Sequence, residues 1–188
     1  NRGTHRAAVV ACNPSELEKR LQSIAAGEEN EGSGIVIGNA TNAMPRVAFV
    51  FTGQGAQYPG MGRGLYENTN GAFRAAMQEC DELFRKHAAD VRLIETLYGP
   101  GNTDAASEEA MKDAAFAQPA LFAVEYALSR VVQKELGVQP TAAVGHSLGE
   151  FAAMCVAGLL TVEEACALVA ARGLAMSTLD SGEASGAM

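Results

Sequence analysis

Hydrophobic and polar positions along the chain follow two periods, and each switch between them marks an element. Ala7 to Ala11 is a short unbroken apolar run of strand length. Asn13-Pro14-Ser15-Glu16 then reads as a helix start. The asparagine can cap, the proline suits the first helical position, and the acidic residue favours the positive end. Leu17, Leu21 and Ile24 recur at helical spacing as far as Gly27. After a polar stretch over 28–33, Ile35-Val36-Ile37 predicts a second strand. The connector from Asn39 to Pro45 places a boundary near residue 45, so that residues 1–44 form a small α+β unit and 45–188 a larger one.

The larger unit opens on Val47-Ala48-Phe49-Val50-Phe51, a continuous apolar run of the kind that parallel sheets bury on both faces. A glycine-rich stretch follows, Gly53-Gln54-Gly55-Ala56-Gln57 and then Pro59, Gly60, Gly62 and Gly64. Phe73, Met77, Cys80 and Phe84 mark one face of a helix over about 71–88, and 99–109 reads as a polar loop. A second helix runs from Pro119 to Leu136, with Leu121, Val124, Leu128, Val131 and Leu136 inward and Gly137 as its stop. Ala142-Ala143-Val144 predicts a strand, and two more helices follow over about 148–158 and 162–178. Thr161 and Glu164 form a capping box at the start of the last. The tail over 181–188 predicts no element. Strands alternating with helices point to an α/β domain built on a parallel sheet.

Composition adds exclusions. With 48% hydrophobic and 19% charged residues among 188, the chain can bury a core and is not disordered. No run of about 18 apolar residues exists to predict a membrane-spanning helix. Asn1 to Arg6 lacks the layout of a secretory signal. The net charge is −8, with four basic and five acidic side chains in 1–44 against ten and seventeen in the remainder. A general nucleic-acid binder needs a basic footprint, which is missing. An anionic ligand would have to be held locally, by single arginines or backbone N–H groups. Cys12, Cys80, Cys155 and Cys166 show neither disulfide-framework nor zinc-site spacing. They read as reduced, buried thiols of a cytoplasmic protein.

The chemistry concentrates at Gly145-His146-Ser147-Leu148-Gly149, a G-x-S-x-G pattern with a strand before it and an apolar-striped helix after it. A turn that sharp leaves no room for side chains two positions either side of Ser147, hence the glycines. It presents the Ser147 hydroxyl at the end of the sheet, above a helix N-terminus with free backbone N–H groups. Those features suit a nucleophile whose attack creates an oxyanion. His146 is adjacent in sequence, but neighbouring side chains on a tight turn diverge, so it is read as supporting the site from beside it. His5 and His87 have no sequence reason to approach, which leaves a nucleophile without a general base. The glycine-rich loop ends in no Gly-Lys-Ser/Thr and misses the dinucleotide spacing. It fits better as a backbone loop that brings Gln54 to the same site. On the last helix Ala165, Leu168, Val169, Arg172 and Met176 step by three and four, which puts Arg172 on the buried face. Its partner could be an internal carboxylate such as Glu150, water reached by snorkelling, or the carboxylate of a substrate.

Four motifs, taken together, resemble a known family: Phe51-Thr52-Gly53-Gln54-Gly55-Ala56-Gln57, Gln118-Pro119-Ala120-Leu121, Gly145-His146-Ser147-Leu148-Gly149-Glu150 and Ala171-Arg172-Gly173. Their identity and order are similar to malonyl-CoA:acyl carrier protein transacylases over about 46–188. The closest match is to the acyltransferase domains of modular type I polyketide synthases. The resemblance implies an α/β-hydrolase-like parallel-sheet core, with residues 1–44 as the linker from an upstream ketosynthase. It implies that Ser147 takes the acyl group from a CoA thioester, that Gln54 and the backbone N–H of Leu148 form the oxyanion hole, and that Arg172 pairs with the malonyl carboxylate. The acyl group would then pass to the phosphopantetheine thiol of an acyl carrier protein, with no bound cofactor and no metal.

Leu148 after the serine resembles malonyl-type domains, since methylmalonyl domains usually carry Gln there. Asp113 to Gln118 leans the same way, with Ala114 in place of a usual Thr. The family's catalytic histidine lies well downstream of the serine. The resemblance therefore implies that these residues are the N-terminal part of the domain and near-inactive alone. An α/β-hydrolase-type esterase or thioesterase using the same serine is the alternative enzyme, and a non-catalytic scaffold piece the alternative without chemistry. Arg172 and the Gln54 loop favour the transferase.

Overall fold

A computed structural model describes residues 4–27, 34–39, 46–68, 71–99 and 104–180. By its contacts the chain divides into two units, Asn1–Pro45 and Arg46–Met188. In the first, β1 (His5–Val9) and β2 (Ile35–Asn39) pair antiparallel with Ala7 opposite Ile37. Between them lies α1 (Pro14–Ala25), where Asn13 Oδ1 accepts from Glu16 N–H at 2.9 Å and Pro14 occupies the first turn. The strand starts and ends two residues earlier than the apolar run, although Val10 N–H still donates to Gly34 O at 2.9 Å and so continues the β1–β2 register. No α1 side chain is buried, and Leu17 and Leu21 stand exposed. Cys12 is exposed as well, against the expectation of buried thiols, whereas Cys80 and Cys166 are buried and Cys155 partly so.

The second unit begins with β3 (Ala48–Phe51), then α2 (Arg63–Asn68), α3 (Ala72–His87), α4 (Leu93–Tyr98), α5 (Asp104–Ala110) and α6 (Ala114–Lys134). It continues through β4 (Ala142–Gly145), α7 (Gly149–Val156) and α8 (Val162–Asp180). β3 and β4 pair parallel with Phe51 opposite Gly145. Phe51 faces the core, while Val50 is 76% and Val144 57% exposed. The expectation of burial on both faces therefore fails among the described residues, where α7 packs on this sheet and leaves Val50 and Val144 uncovered.

The core lies where α3, α6 and α8 pack on one another. Phe73, Met77, Cys80 and Phe84, the expected face of α3, are each 0% exposed. They meet Leu121, Phe122 and Val124 from α6 and Ala165, Cys166 and Val169 from α8. The capping box of α8 forms as its sequence dictates: Thr161 N–H donates to Glu164 Oε2 at 2.8 Å, and Glu164 N–H to Thr161 Oγ1 at 3.2 Å.

Several expected boundaries move. α6 starts at Ala114, five residues before Pro119, because Asp113 Oδ1 caps Ala115 N–H at 2.9 Å and Pro119 is accommodated inside the helix. Leu128 and Leu136, expected inward, are exposed: Ala127 and Ser129 beside Leu128 take the buried positions, and Leu136 lies beyond the end of α6. Leu168 on α8 is also exposed. α5 occupies most of the expected polar loop at 99–109, and α2 and α4 are short helices that the periodicity missed. α4 is capped from outside itself, by Asp81 Oδ1 of α3 accepting from Ile94 N–H at 3.2 Å. The glycine-rich tail over 181–188 lies outside the described residues.

Candidate active site

The Ser147 turn is dictated by its glycines. Ser147 has φ 53°, the one non-glycine residue with positive φ among those described, in the left-handed region that L side chains resist. A Cβ on Gly145 would collide with Gly149 and with the Glu150 backbone nitrogen. One on Gly149 would collide with Thr52 O and lie 2.7 Å from both Phe51 C and Phe51 O. The flanking glycines thus let the strand, the turn and α7 close on one another, and they bring the residues after β3 against the same point. Gly53 does this for the loop: a Cβ there would lie 2.5 Å from His146 Nδ1. His146 therefore sits beside the loop, and its imidazole makes no hydrogen bond to Ser147 among the described residues.

Ser147 Oγ accepts from Arg172 Nη2 at 2.9 Å across 25 residues of chain. Arg172 is half-buried, short of the full burial that its stripe implied. Its Nη1 donates to Gln118 Oε1 at 2.6 Å. No carboxylate of the described residues lies within 4.0 Å of the guanidinium, and the internal candidate Glu150 is exposed on α7. A cation held only by neutral oxygens beside a hydroxyl is a receptor for an anion. Gly173 makes the approach possible, since a Cβ there would stand 2.8 Å from Ala114 O and drive α8 off the start of α6.

Gln54 joins the same cluster by accepting from Gln118 Nε2 at 3.1 Å. Its loop is anchored from below, where Glu125 Oε1 accepts from both Thr52 N–H and Thr52 Oγ–H, each at 2.7 Å. Glu125 is buried, its Oε2 has no partner among the described residues, and burial raises its pKa against the opposing bonds from Thr52. Leu148 buries its side chain completely in the core. Its backbone N–H, at the N-cap of α7, has no acceptor among the described residues, and the same holds for Gln54 N–H. An unpaired N–H at the helix N-terminus directly after a hydroxyl can stabilise negative charge, and Gln54 N–H is a second unpaired donor on the neighbouring loop.

Sequence reasoning placed Ser147, Gln54, Leu148, His146 and Arg172, but it gave no role to Gln118 or Glu125. Both are polar residues on the apolar face of one helix, which is the signal that could have found them. Burial pushes the Cys155 thiol up to about 12, and a hydrogen bond with Cys166 together with burial raises Cys80, as suits inert packing thiols. Among the described residues no cluster of His, Cys, Asp and Glu could hold a metal ion, and no helix is long and apolar enough to cross a membrane.

Comparison with known proteins identifies the family. Residues 48–188 match the family model described as acyl transferase domain. Polyketide synthase GfsE of Streptomyces halstedii is 40% identical over 177 residues, covering 93% of this chain and 4% of its own length. The acyltransferase domain from the second module of the salinomycin polyketide synthase superposes with TM-score 0.72 at 41% identity, over 93% of this chain and 38% of that one. A malonyl-transacylase solved in complex with a type II polyketide synthase acyl carrier protein, PlMCAT:AntF, gives TM-score 0.57 at 31% identity, over 70% of this chain and 39% of that one. The chain thus spans a small part of its curated relatives and under two fifths of these solved neighbours. By this match, and by a serine turn, a glutamine loop and an arginine that meet at one point, the chain belongs to the acyl transferase domain family, in the branch carried by modular type I polyketide synthases.

Proposed function

We propose that Ser147 accepts a malonyl-type acyl group from its CoA thioester and passes it to the phosphopantetheine thiol of an acyl carrier protein. The observation that carries this is the Arg172 guanidinium, 2.9 Å from Ser147 Oγ and bound on its other nitrogen to a neutral amide. An acyl group on Ser147 that ends in a carboxylate would find an unneutralised cation within reach, whereas a neutral acyl group would not use it. Ser147 Oγ attacks the thioester carbonyl, the carbonyl oxygen takes up negative charge, and collapse breaks the C–S bond to release CoA as a thiol. The N–H groups of Gln54 and Leu148 are the donors for that charge. The carrier thiol then attacks the Ser147 ester and restores the hydroxyl. The proton on Oγ needs a base, which family resemblance places downstream of the serine; no described imidazole bonds Ser147. His146 is assigned to shaping the loop, through its contact with Gly53.

An α/β-hydrolase-like core is supported by a positive-φ serine between a parallel strand and a helix. A role for residues 1–44 as the ketosynthase linker is supported by the relatives, whose match to polyketide synthases extends over 93% of the chain although the family model begins at 48. The lean to malonyl over branched extenders rests on Leu148, where a glutamine would have to bury its amide in the core.

Mass analysis of the full-length polypeptide after incubation with malonyl-CoA tests the reading. Wild type should carry one malonyl group on Ser147, and no adduct there would remove the nucleophile. Arg172→Ala should lower malonyl loading by about 10- to 100-fold, as expected for losing a charged hydrogen bond of about 1.5–3 kcal/mol, while acetyl loading changes far less. An unchanged malonyl-to-acetyl ratio would refute the carboxylate role.

A further inference from the structure

Gln118 is 0% exposed, and its amide is fully committed. Oε1 accepts from Arg172 Nη1 at 2.6 Å, while Nε2 donates to Gln54 Oε1 at 3.1 Å and to Met176 Sδ at 3.0 Å. The orientation follows from chemistry. A guanidinium can only donate, so the carbonyl end must face Arg172, and the two N–H groups must then face Gln54 and the thioether. Gln118 reaches all three because it lies one turn beyond Ala114, where Gly173 lets α8 press on α6. An unbroken chain of contacts runs from Gln54 through Gln118 and Arg172 to Ser147 Oγ.

We infer that Gln118 is the positioning residue that sets the acyl-group specificity of this site by holding Arg172 in place without neutralising it. The inference rests on the carboxylate-binding reading above. A guanidinium tethered by one nitrogen points its second toward Ser147, where an acyl group would be attached. Had the tether been a carboxylate, the fork would bind it more strongly, and its charge would be spent before substrate arrived. A carboxylate also has no N–H for Gln54. A neutral amide satisfies a donor on one side and an acceptor on the other while leaving the net positive charge for a ligand. The same amide fixes Gln54, so the group that selects the acyl chain and the loop that faces its thioester are tied to one side chain.

The test compares Ser147 loading from malonyl-CoA and acetyl-CoA in wild type, Gln118→Glu and Arg172→Ala, as kcat/KM values, with urea midpoints measured alongside. Gln118→Glu should lower the malonyl-to-acetyl ratio by at least 10-fold, mostly through a raised KM for malonyl-CoA, while any loss through the Gln54 loop falls on both substrates and cancels in the ratio. A role in packing alone would lower both substrates equally. If Arg172→Ala changes the ratio and Gln118→Glu does not, this inference falls and the carboxylate reading stands. If Arg172→Ala leaves the ratio unchanged, both fall. Should Gln118→Glu fail to fold, Gln118→Met keeps the length without charge or strong hydrogen bonds. It should lower the ratio about 5-fold through loss of the tether, and an unchanged ratio there overturns the inference.

Discussion

Gly149→Ala is the sharpest probe of the serine turn, because the structure sets two opposing magnitudes against each other. In a helix, replacing glycine by alanine ordinarily stabilises by about 0.5–1 kcal/mol, through the smaller entropy of the unfolded chain. Here the added methyl would lie 2.7 Å from Phe51 C and Phe51 O, and closer still to Thr52 O, where ordinary contact starts at 3.4 Å. All three obstacles are backbone atoms of β3 and the residue after it, so no side chain can rotate aside. To clear the nearest of them α7 must withdraw by roughly 1 Å, and overpacking of that kind costs about 1–3 kcal/mol. The balance is a net loss of about 1–2 kcal/mol. With a urea dependence of about 2 kcal/mol per molar, the midpoint should fall by roughly 0.5–1 M. Ser147 and Leu148 would move with α7 away from Gln54, and displacements near 1 Å at reacting groups cost on the order of 100-fold in rate. Gly64→Ala on α2, where a Cβ meets nothing within 4 Å, is the control and should gain about 0.5–1 kcal/mol. A Gly149→Ala protein as stable as wild type, with full Ser147 loading, would refute the close approach of α7 to β3.

Two further predictions concern groups under the site. Ser147 holds φ 53°, so Ser147→Gly should be more stable than Ser147→Ala by about 0.5–1 kcal/mol, the left-handed strain less the extra unfolded-state entropy of glycine. Both variants lose the nucleophile and the Arg172 bond, which cancel in the comparison; equal urea midpoints would mean that the turn is unstrained. Glu125→Gln keeps an acceptor for Thr52 and removes a titrating group whose folded pKa burial raises. Folding therefore favours protonated Glu125. The stability of wild type relative to the variant should be greatest below the ordinary carboxylate pKa of about 4.3 and decline as pH rises through the raised value. Urea midpoints from about pH 4 to pH 8 measure this, and a difference that grows with pH would reverse the assignment.

How much of this was legible in sequence depended on whether the forces were local. The starts of α1 and α8 were readable because Asn13, Pro14, Thr161 and Glu164 act on their own helix. The core face of α3 was readable because four large apolar side chains recur at helical spacing. α4 was not, since its cap is Asp81 of another helix. The expected start of α6 at Pro119 falls too late because Asp113 caps the helix five residues earlier and the proline is accommodated inside it. Leu128, Leu136 and Leu168 failed for a related reason: periodicity identifies an apolar stripe, but how far a neighbour extends over it is a property of packing.

The sequence by itself determined the serine turn, the glutamine loop and the presence of an arginine on the last helix, together with the family that these motifs mark. Local sterics require glycines around such a turn, so the pattern carries its own explanation. Which partner Arg172 takes was decided only by the tertiary structure. Three elements far apart in the chain converge there, Gly173 admits α6, and Gln118 supplies a neutral oxygen where a carboxylate such as Glu150 could have stood. Helical spacing can place a charge on a face, but only packing fixes whether that charge is spent within the protein or kept for a ligand.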